Sequence, residues 1–192
     1  MTPDHTVPLD RTTARALALF IGHADRPQIG KYAALRVKGT TARWEATDGH
    51  AMVLIGVKID LPPGLYVADA AAIRRCAGIP EKYRTSADDV VEVREAGKDD
   101  WPDTTYVLDD ANTRAEASPE KAARALGWVQ MERLAKLARM YQVTTARGYN
   151  HRIASPLDPT VWDLMDRPVQ VVVMPMRTDP PIPVAGVVRG EP

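Results

Sequence analysis

A chain of 192 residues with 45% hydrophobic side chains is long enough to bury a real core, as one large domain or two small ones. Its 25 basic and 25 acidic residues cancel, so the charge total argues neither for a polyanion partner nor for a charged disordered tail. The single cysteine, Cys76, excludes an internal disulfide and a cysteine-built metal centre, no apolar run approaches the roughly 20 residues of a membrane helix, and residues 1–10 lack a basic-then-apolar leader; a soluble cytoplasmic protein is expected.

In chain order, residues 10–23 predict a helix: Asp10 is its N-cap, Ala16, Leu17, Leu19, Phe20 and Ile21 form an apolar face, and Arg11 and Arg15 lie i, i+4 on the other side. Strand patterns follow at 31–38, 42–47, 51–59 and 64–68, with Asp48-Gly49 as a hairpin turn. Asp69 caps a short helix at 70–77 that carries Arg74 and Arg75. Residues 79–89 read as loop, 90–95 as a strand, 101–108 as an extended segment and 109–112 as a turn. Ser118-Pro119-Glu120 supplies a cap, a first-position proline and a first-turn carboxylate for a helix within 119–141, with a break at Gly127-Trp128. Met131, Leu134, Leu137, Ala138 and Tyr141 take core spacing there, leaving Arg133, Lys136 and Arg139 on the remaining arc. Strands are predicted at 143–147, 151–154, 161–165 and 169–176. Hairpin-linked strands in blocks separated by single helices predict an α+β architecture, antiparallel sheets with helices on one face.

Few motifs carry chemistry. Thr47-Asp48-Gly49-His50 reads as a turn or as an Asp/His pair, and no nucleophile is tied to it. The doublets Asp88-Asp89, Asp99-Asp100 and Asp109-Asp110 offer hard oxygen ligands to a divalent cation, or are solvated turn acids. Cys76 beside Arg74 and Arg75 is either activated or a small buried apolar group. Phosphate-cradling glycine loops, His-Glu-x-x-His and a nucleophile elbow are all missing, and no cofactor is expected. Arg11, Arg15, Arg74, Arg75, Arg133, Lys136 and Arg139 fall on three predicted helices. On one face they form a surface for phosphates that reads no bases; otherwise they are solvated helix faces balanced by acids such as Glu120 and Glu132. Val172-Val173-Met174-Pro175-Met176-Arg177 reads as a core strand with an edge proline, and methionines also build adaptable docking surfaces.

Together these segments resemble the bacterial sliding clamp, the beta subunit of the DNA polymerase III holoenzyme. Ala46-Thr47-Asp48-Gly49-His50 followed by Ala51-Met52-Val53-Leu54 is similar to a strand end in the family's middle domain, except that Ala51 stands where the family commonly has arginine. Gly64-Leu65-Tyr66-Val67 leading into a helix resembles the fourth strand and second helix. Trp101-Pro102-Asp103 through Val107-Leu108 resembles the linker into the last domain, and Leu126-Gly127-Trp128 with its leucine-rich helix resembles that domain's last helix. Val172 to Arg177 resembles the C-terminal strand, and the similarity runs loosely from Arg11 to Arg177.

The resemblance implies a clamp-like fold shortened relative to the three-domain clamp: 1–107 like the middle domain with a compressed second half, 108–177 like the C-terminal part of the last domain, and 178–192 an irregular proline-rich tail. The first domain is expected to be missing, and with it the usual ring-closing interface. The implied role is not catalytic but replicative: docking the clamp-binding peptide motifs of polymerase and repair partners. The implied peptide pocket comprises Thr47, Gly49, His50, Met52, Pro102, Val107, Val172, Met174, Pro175, Met176 and Arg177. Leu or Phe anchors would enter its Met/Pro/Val floor, and the basic helices would touch double-stranded DNA non-specifically. Two assemblies stand open, a multi-copy ring around DNA and a non-ring decoy or adaptor; a metal-dependent nuclease or phosphoesterase on the aspartates and His50, and a structural module with a vestigial pocket, are the alternatives.

Overall fold

The computed structural model describes residues 5–22, 29–78, 85, 89–104, 128–143, 149–152, 160–164 and 167–173. The elements are β1 (His5–Pro8), α1 (Arg11–Ala18), β2 (Tyr32–Lys38), β3 (Thr41–Thr47), β4 (Ala51–Val57), β5 (Gly64–Asp69), α2 (Ala70–Gly78), β6 (Val90–Glu95), α3 (Trp128–Met140), β7 (Tyr149–Arg152), β8 (Thr160–Leu164) and β9 (Val169–Val173). The strands form one antiparallel nine-stranded sheet in the order β1-β6-β5-β2-β3-β4-β9-β8-β7. The β4–β9 ladder, with Ala51 opposite Val173 and Ile55 opposite Val169, carries the sheet unbroken across the boundary expected near residue 107.

Strand alternation assigns the two faces. Leu35, Trp44, Ala46, Val53, Ile55, Val171 and Val173 point into one main core, which they share with Leu17 and Phe20 beside α1, Ile73 and Cys76 of α2, and Leu134 and Leu137 of α3. The three described helices therefore cover the same face, as expected, and the fold is α+β. Each fully buried leucine there contributes about 1.5–3 kcal/mol of transfer free energy. Cys76 is buried in that layer, its Sγ 3.8 Å from the Val90 carbonyl, so the small apolar role holds.

The helix ends explain where the sequence expectations shift. Asp10 caps α1 as predicted: Oδ1 accepts from the Thr13 amide at 3.0 Å and Oδ2 from the Thr13 hydroxyl at 2.6 Å. The helix stops at Ala18 rather than residue 23, because the chain tightens through the bond from the Phe20 amide to the Leu17 carbonyl and Gly22 then turns to the sheet, its amide donating to Ile29 and Thr47 carbonyls. Asp69 caps α2 as expected, accepting from the Ala71 amide at 2.7 Å.

α3 ends in a Schellman motif: Gln142 adopts φ 54°, the Val143 amide donates to the Ala138 carbonyl and the Gln142 amide to the Arg139 carbonyl. Val143 thus belongs to the helix stop; residues 144–147 of the strand expected at 143–147 lie outside the described residues, and β7, Tyr149–Arg152, begins two residues before the strand expected at 151–154. β4 ends at Val57 instead of residue 59, where its pairing with β3 runs out at Ala42, and on its other side the Gly56 amide donates to the Pro168 carbonyl at 2.6 Å. A Cβ on Gly56 would sit 3.0 Å from the Pro168 Cβ, a tight contact that favours glycine here. β1, paired with β6, was not anticipated; four residues ending in proline leave almost no periodic signal. The helix expected before residue 128 and the strand residues 153–154, 165 and 174–176 lie outside the described residues.

Candidate docking corner and cationic groove

The β3–β4 hairpin turns through Thr47-Asp48-Gly49-His50, and its side chains build the turn. Asp48 Oδ1 accepts from the His50 and Ala51 amides, both at 2.9 Å. Thr47 Oγ1 accepts from the Gly49 amide at 3.0 Å and donates to the Ala51 carbonyl at 2.9 Å. Gly49 sits at φ 88°, where a side chain would be strained. Gly49 and His50 are exposed, whereas Thr47 is buried. This is an Asx-type turn rather than an Asp/His pair, since both described Asp48 amide partners lie in the turn itself.

Two helix cations brace this corner from behind. Arg133 of α3 donates from Nη1 to Asp48 Oδ2 at 2.6 Å, and its guanidinium lies 5.6 Å from the Phe20 ring centre. Arg74 of α2 donates to the Gly22 carbonyl at 2.9 Å, and the Gly22 amide donates to the Thr47 carbonyl at 3.2 Å. Burial pushes the Asp48 carboxyl up, but the turn amides of Ala51 and His50 and the Arg133 guanidinium more than offset it, and the net shift is below the ordinary aspartate value.

On the sheet face away from the helices, Thr47, Met52, Val172 and Val161 stand in register across β3, β4, β9 and β8. Met52, Leu54, Val161 and Val172 form a separate apolar cluster, with Met52 8% and Val172 1% exposed. Beside it Glu45, fully buried, is paired to Arg36 Nε at 2.8 Å and Arg43 Nε at 2.9 Å. It also accepts from Thr104 Oγ1 at 2.7 Å and the Trp101 indole at 3.3 Å. Desolvation raises the Glu45 carboxyl, and the Arg36 contact first, then Thr104 and Arg43, bring it below its usual range. Residues 101–104 are therefore a strap across this face, with Trp101 packed on Ala34 and Val67. The extended segment predicted over 101–108 starts as that strap and not as a strand; residues 105–108 lie outside the described residues.

On the helical face, Arg15, Arg74, Lys136 and Arg139 meet around a groove of about 660 Å³ whose apolar lining is Ala18, Leu19, Ala77 and Met140. Among the described residues, no acidic one lines it. Arg11, Arg75 and Arg133 are not part of that lining, and Lys136 also pairs with Glu132 at 2.7 Å. Among the described residues, no group of three or more His, Cys, Asp or Glu is placed to hold a metal ion. Asp100 is committed to Arg94 at 2.6 Å and to the Gly97 amide at 2.7 Å.

Of the expected peptide pocket, Thr47, Gly49, His50, Met52 and Val172 come together, and Pro102 lies in the strap anchored to Glu45, the cross-strand neighbour of Leu54. Val173 lies opposite Ala51, one residue from His50. Val107, Met174, Pro175, Met176 and Arg177 lie outside the described residues. Three functional candidates were missed in sequence: Asp48 as the organiser of the corner, Arg133 as its brace, and Glu45 as the strap anchor. The turn signal at Asp48-Gly49 pointed at the first, and Arg133 was singled out only as one of the helix cations; its bond to Asp48 and the partners of Glu45 depend on long-range pairing.

No protein-family model matches the chain, and no curated protein matches it in sequence. Solved structures do match in fold. The DNA polymerase sliding clamp of Bacillus subtilis aligns with a TM-score of 0.58 at 11% identity, over 93% of this chain and 66% of the clamp. A DNA polymerase III beta subunit from Eubacterium rectale gives 0.56 at 9% identity, over 93% and 67%. The sliding clamp of Pseudomonas aeruginosa bound to griselimycin gives 0.57 at 14% identity, over 93% and 67%. The chain thus has a sliding-clamp-like fold and spans about two thirds of the length of those chains.

Proposed function

We propose that this clamp-fold chain is a non-catalytic docking protein that binds short peptide motifs of DNA polymerase or repair partners at the β3–β4 corner and β9. The observation that carries the reading is the β4–β9 register, which sets Met52 against Val172 and Val173 beside the exposed Gly49-His50 turn. Two stretches some 120 residues apart in sequence meet there, in the arrangement that the resemblance to clamps implies. The pocket proposed is Thr47, Gly49, His50, Met52, Pro102, Val107, Val172, Met174, Pro175, Met176 and Arg177. Such an interface is small, and a micromolar affinity suits it. The cationic groove supports a second contact, a non-specific one with duplex phosphates, through Arg15, Arg74, Lys136 and Arg139. Replication and a cytoplasmic location are part of the same proposal.

The test is titration of a fluorescent clamp-binding peptide into the full chain. Micromolar binding abolished by Met174→Asp supports the reading; indifference to the peptide at high micromolar concentration ends it. Solution mass in the same experiment separates the two assemblies, because a stable monomer defeats the ring. One observation favours a second reading, a structural module. Met52, Leu54, Val161 and Val172 are nearly inaccessible in the free chain, as an ordinary second core would be. In that case neither peptide nor DNA binds.

A further inference from the structure

We infer that Arg133 is a positioning residue of the docking corner, and that through it a polyanion on the cationic helix face and the geometry of the Asp48-Gly49-His50 turn oppose each other. The inference rests on the docking reading for its functional meaning, but its structural core stands on the contacts alone. Arg133 reaches from α3 across the sheet end to Asp48 Oδ2 at 2.6 Å, and its side chain is only 21% exposed. The other oxygen of that carboxylate holds the two amides that shape the turn. Three residues further along α3, on the neighbouring surface of the helix, Lys136 lines the groove, joined there by Arg139. Arg133 therefore stands between two anion demands, the Asp48 carboxylate and any phosphate bound along α3.

A guanidinium turned towards phosphate loses its short bond to Asp48, and the carboxylate then holds the turn without that bond. Arg74 supports the same link from α2: it lines the groove and also donates to the Gly22 carbonyl, whose residue bonds the Thr47 carbonyl. Thermodynamic reciprocity requires that whatever the polyanion does to the turn, a ligand on the turn does to the polyanion. A filled groove thus weakens peptide docking, and a docked peptide weakens duplex binding.

Amide hydrogen exchange at His50 and Ala51, read by NMR on the full chain with and without a short DNA duplex, tests this directly. In the native protein the duplex is expected to speed exchange at both amides. Arg133→Met speeds it by about tenfold without DNA, the effect of losing one charge-assisted bond, and the duplex adds nothing further. Asp48→Asn, which keeps the amide acceptor and removes the charge, gives the same insensitivity to DNA and covers the case of a poorly folded Arg133 variant. Arg139→Met weakens duplex binding while leaving the turn amides as in the native chain. Unchanged exchange in both Arg133→Met and Asp48→Asn overturns the inference, as does a bound duplex that leaves the native amides untouched. A chain that ignores clamp-binding peptides sinks the docking reading instead, and the exchange data still decide the role of Arg133.

Discussion

Glu45 shows how much one residue can hold. It is a carboxylate with no exposure, answered by two arginines, a threonine and an indole, and it ties the 101–104 strap to β3. Removing the carboxylate costs about 1–3 kcal/mol, because the partly exposed Arg36 and Arg43 and the Trp101 indole lose their common acceptor. Glu45→Ala is expected to lower the urea midpoint accordingly and to raise Trp101 exposure, read by fluorescence quenching. Glu45 and Asp48 both have carboxyls held below their ordinary values. Their contribution is fully present above the unfolded carboxylate range near pH 4 to 5, and is lost as the pH falls through the lowered folded values. Urea midpoints at pH 7 and pH 3 should therefore differ, and Glu45→Gln should shrink that difference. Neither network was legible in the sequence. A lone Glu in a strand looks solvated until its strand is known to be covered, and what covers it here lies 56 residues away at Trp101.

Elements were legible where a local pattern and a local stop coincide. Asp10 and Asp69 announced α1 and α2 because a cap needs only the next few residues. Asp10→Ala is expected to cost about 1 kcal/mol, read as a drop in thermal midpoint. Ends set by partners elsewhere were misplaced: α1 yields to the pairing of Gly22 with Ile29 and Thr47, and β4 stops where β3, its partner, runs out at Ala42. Val143 was read as strand because β-branched residues favour strands, yet its amide closes the end of α3. Leu137, fully buried, fixes α3 on the common core, and Leu137→Ala should destabilise by about 2–5 kcal/mol in chemical denaturation. Because Arg133, Lys136 and Arg139 ride on that helix, the same variant loosens both the corner and the groove.

At the scale of the molecule, the continuous nine-stranded sheet is the decisive feature. The α+β layering with all helices on one face was readable from the order of segments. The union of β4 with β9 was not: no periodicity tells one apolar strand which distant strand it will pair with, and the resemblance to clamps suggested only that the two stretches share a pocket. The helix cations were readable as a set of seven, but the fold sorts them: Arg15, Arg74, Lys136 and Arg139 share the groove, while Arg133 is drawn to Asp48. If the groove meets duplex phosphates, log affinity falls linearly with log salt, and Lys136→Met combined with Arg139→Met should reduce that slope by about 2. Affinity measured over a salt series checks it; an unchanged slope removes those residues from the contact.

The most direct measurement is a two-dimensional amide NMR titration of the isotopically labelled full chain with a clamp-binding peptide. Binding at the corner predicts saturable shifts concentrated at Gly49, His50, Val172 and Val173, with the far strands β1 and β6 unmoved. Shifts confined to the helical face, or none at peptide concentrations far above micromolar, would contradict the account.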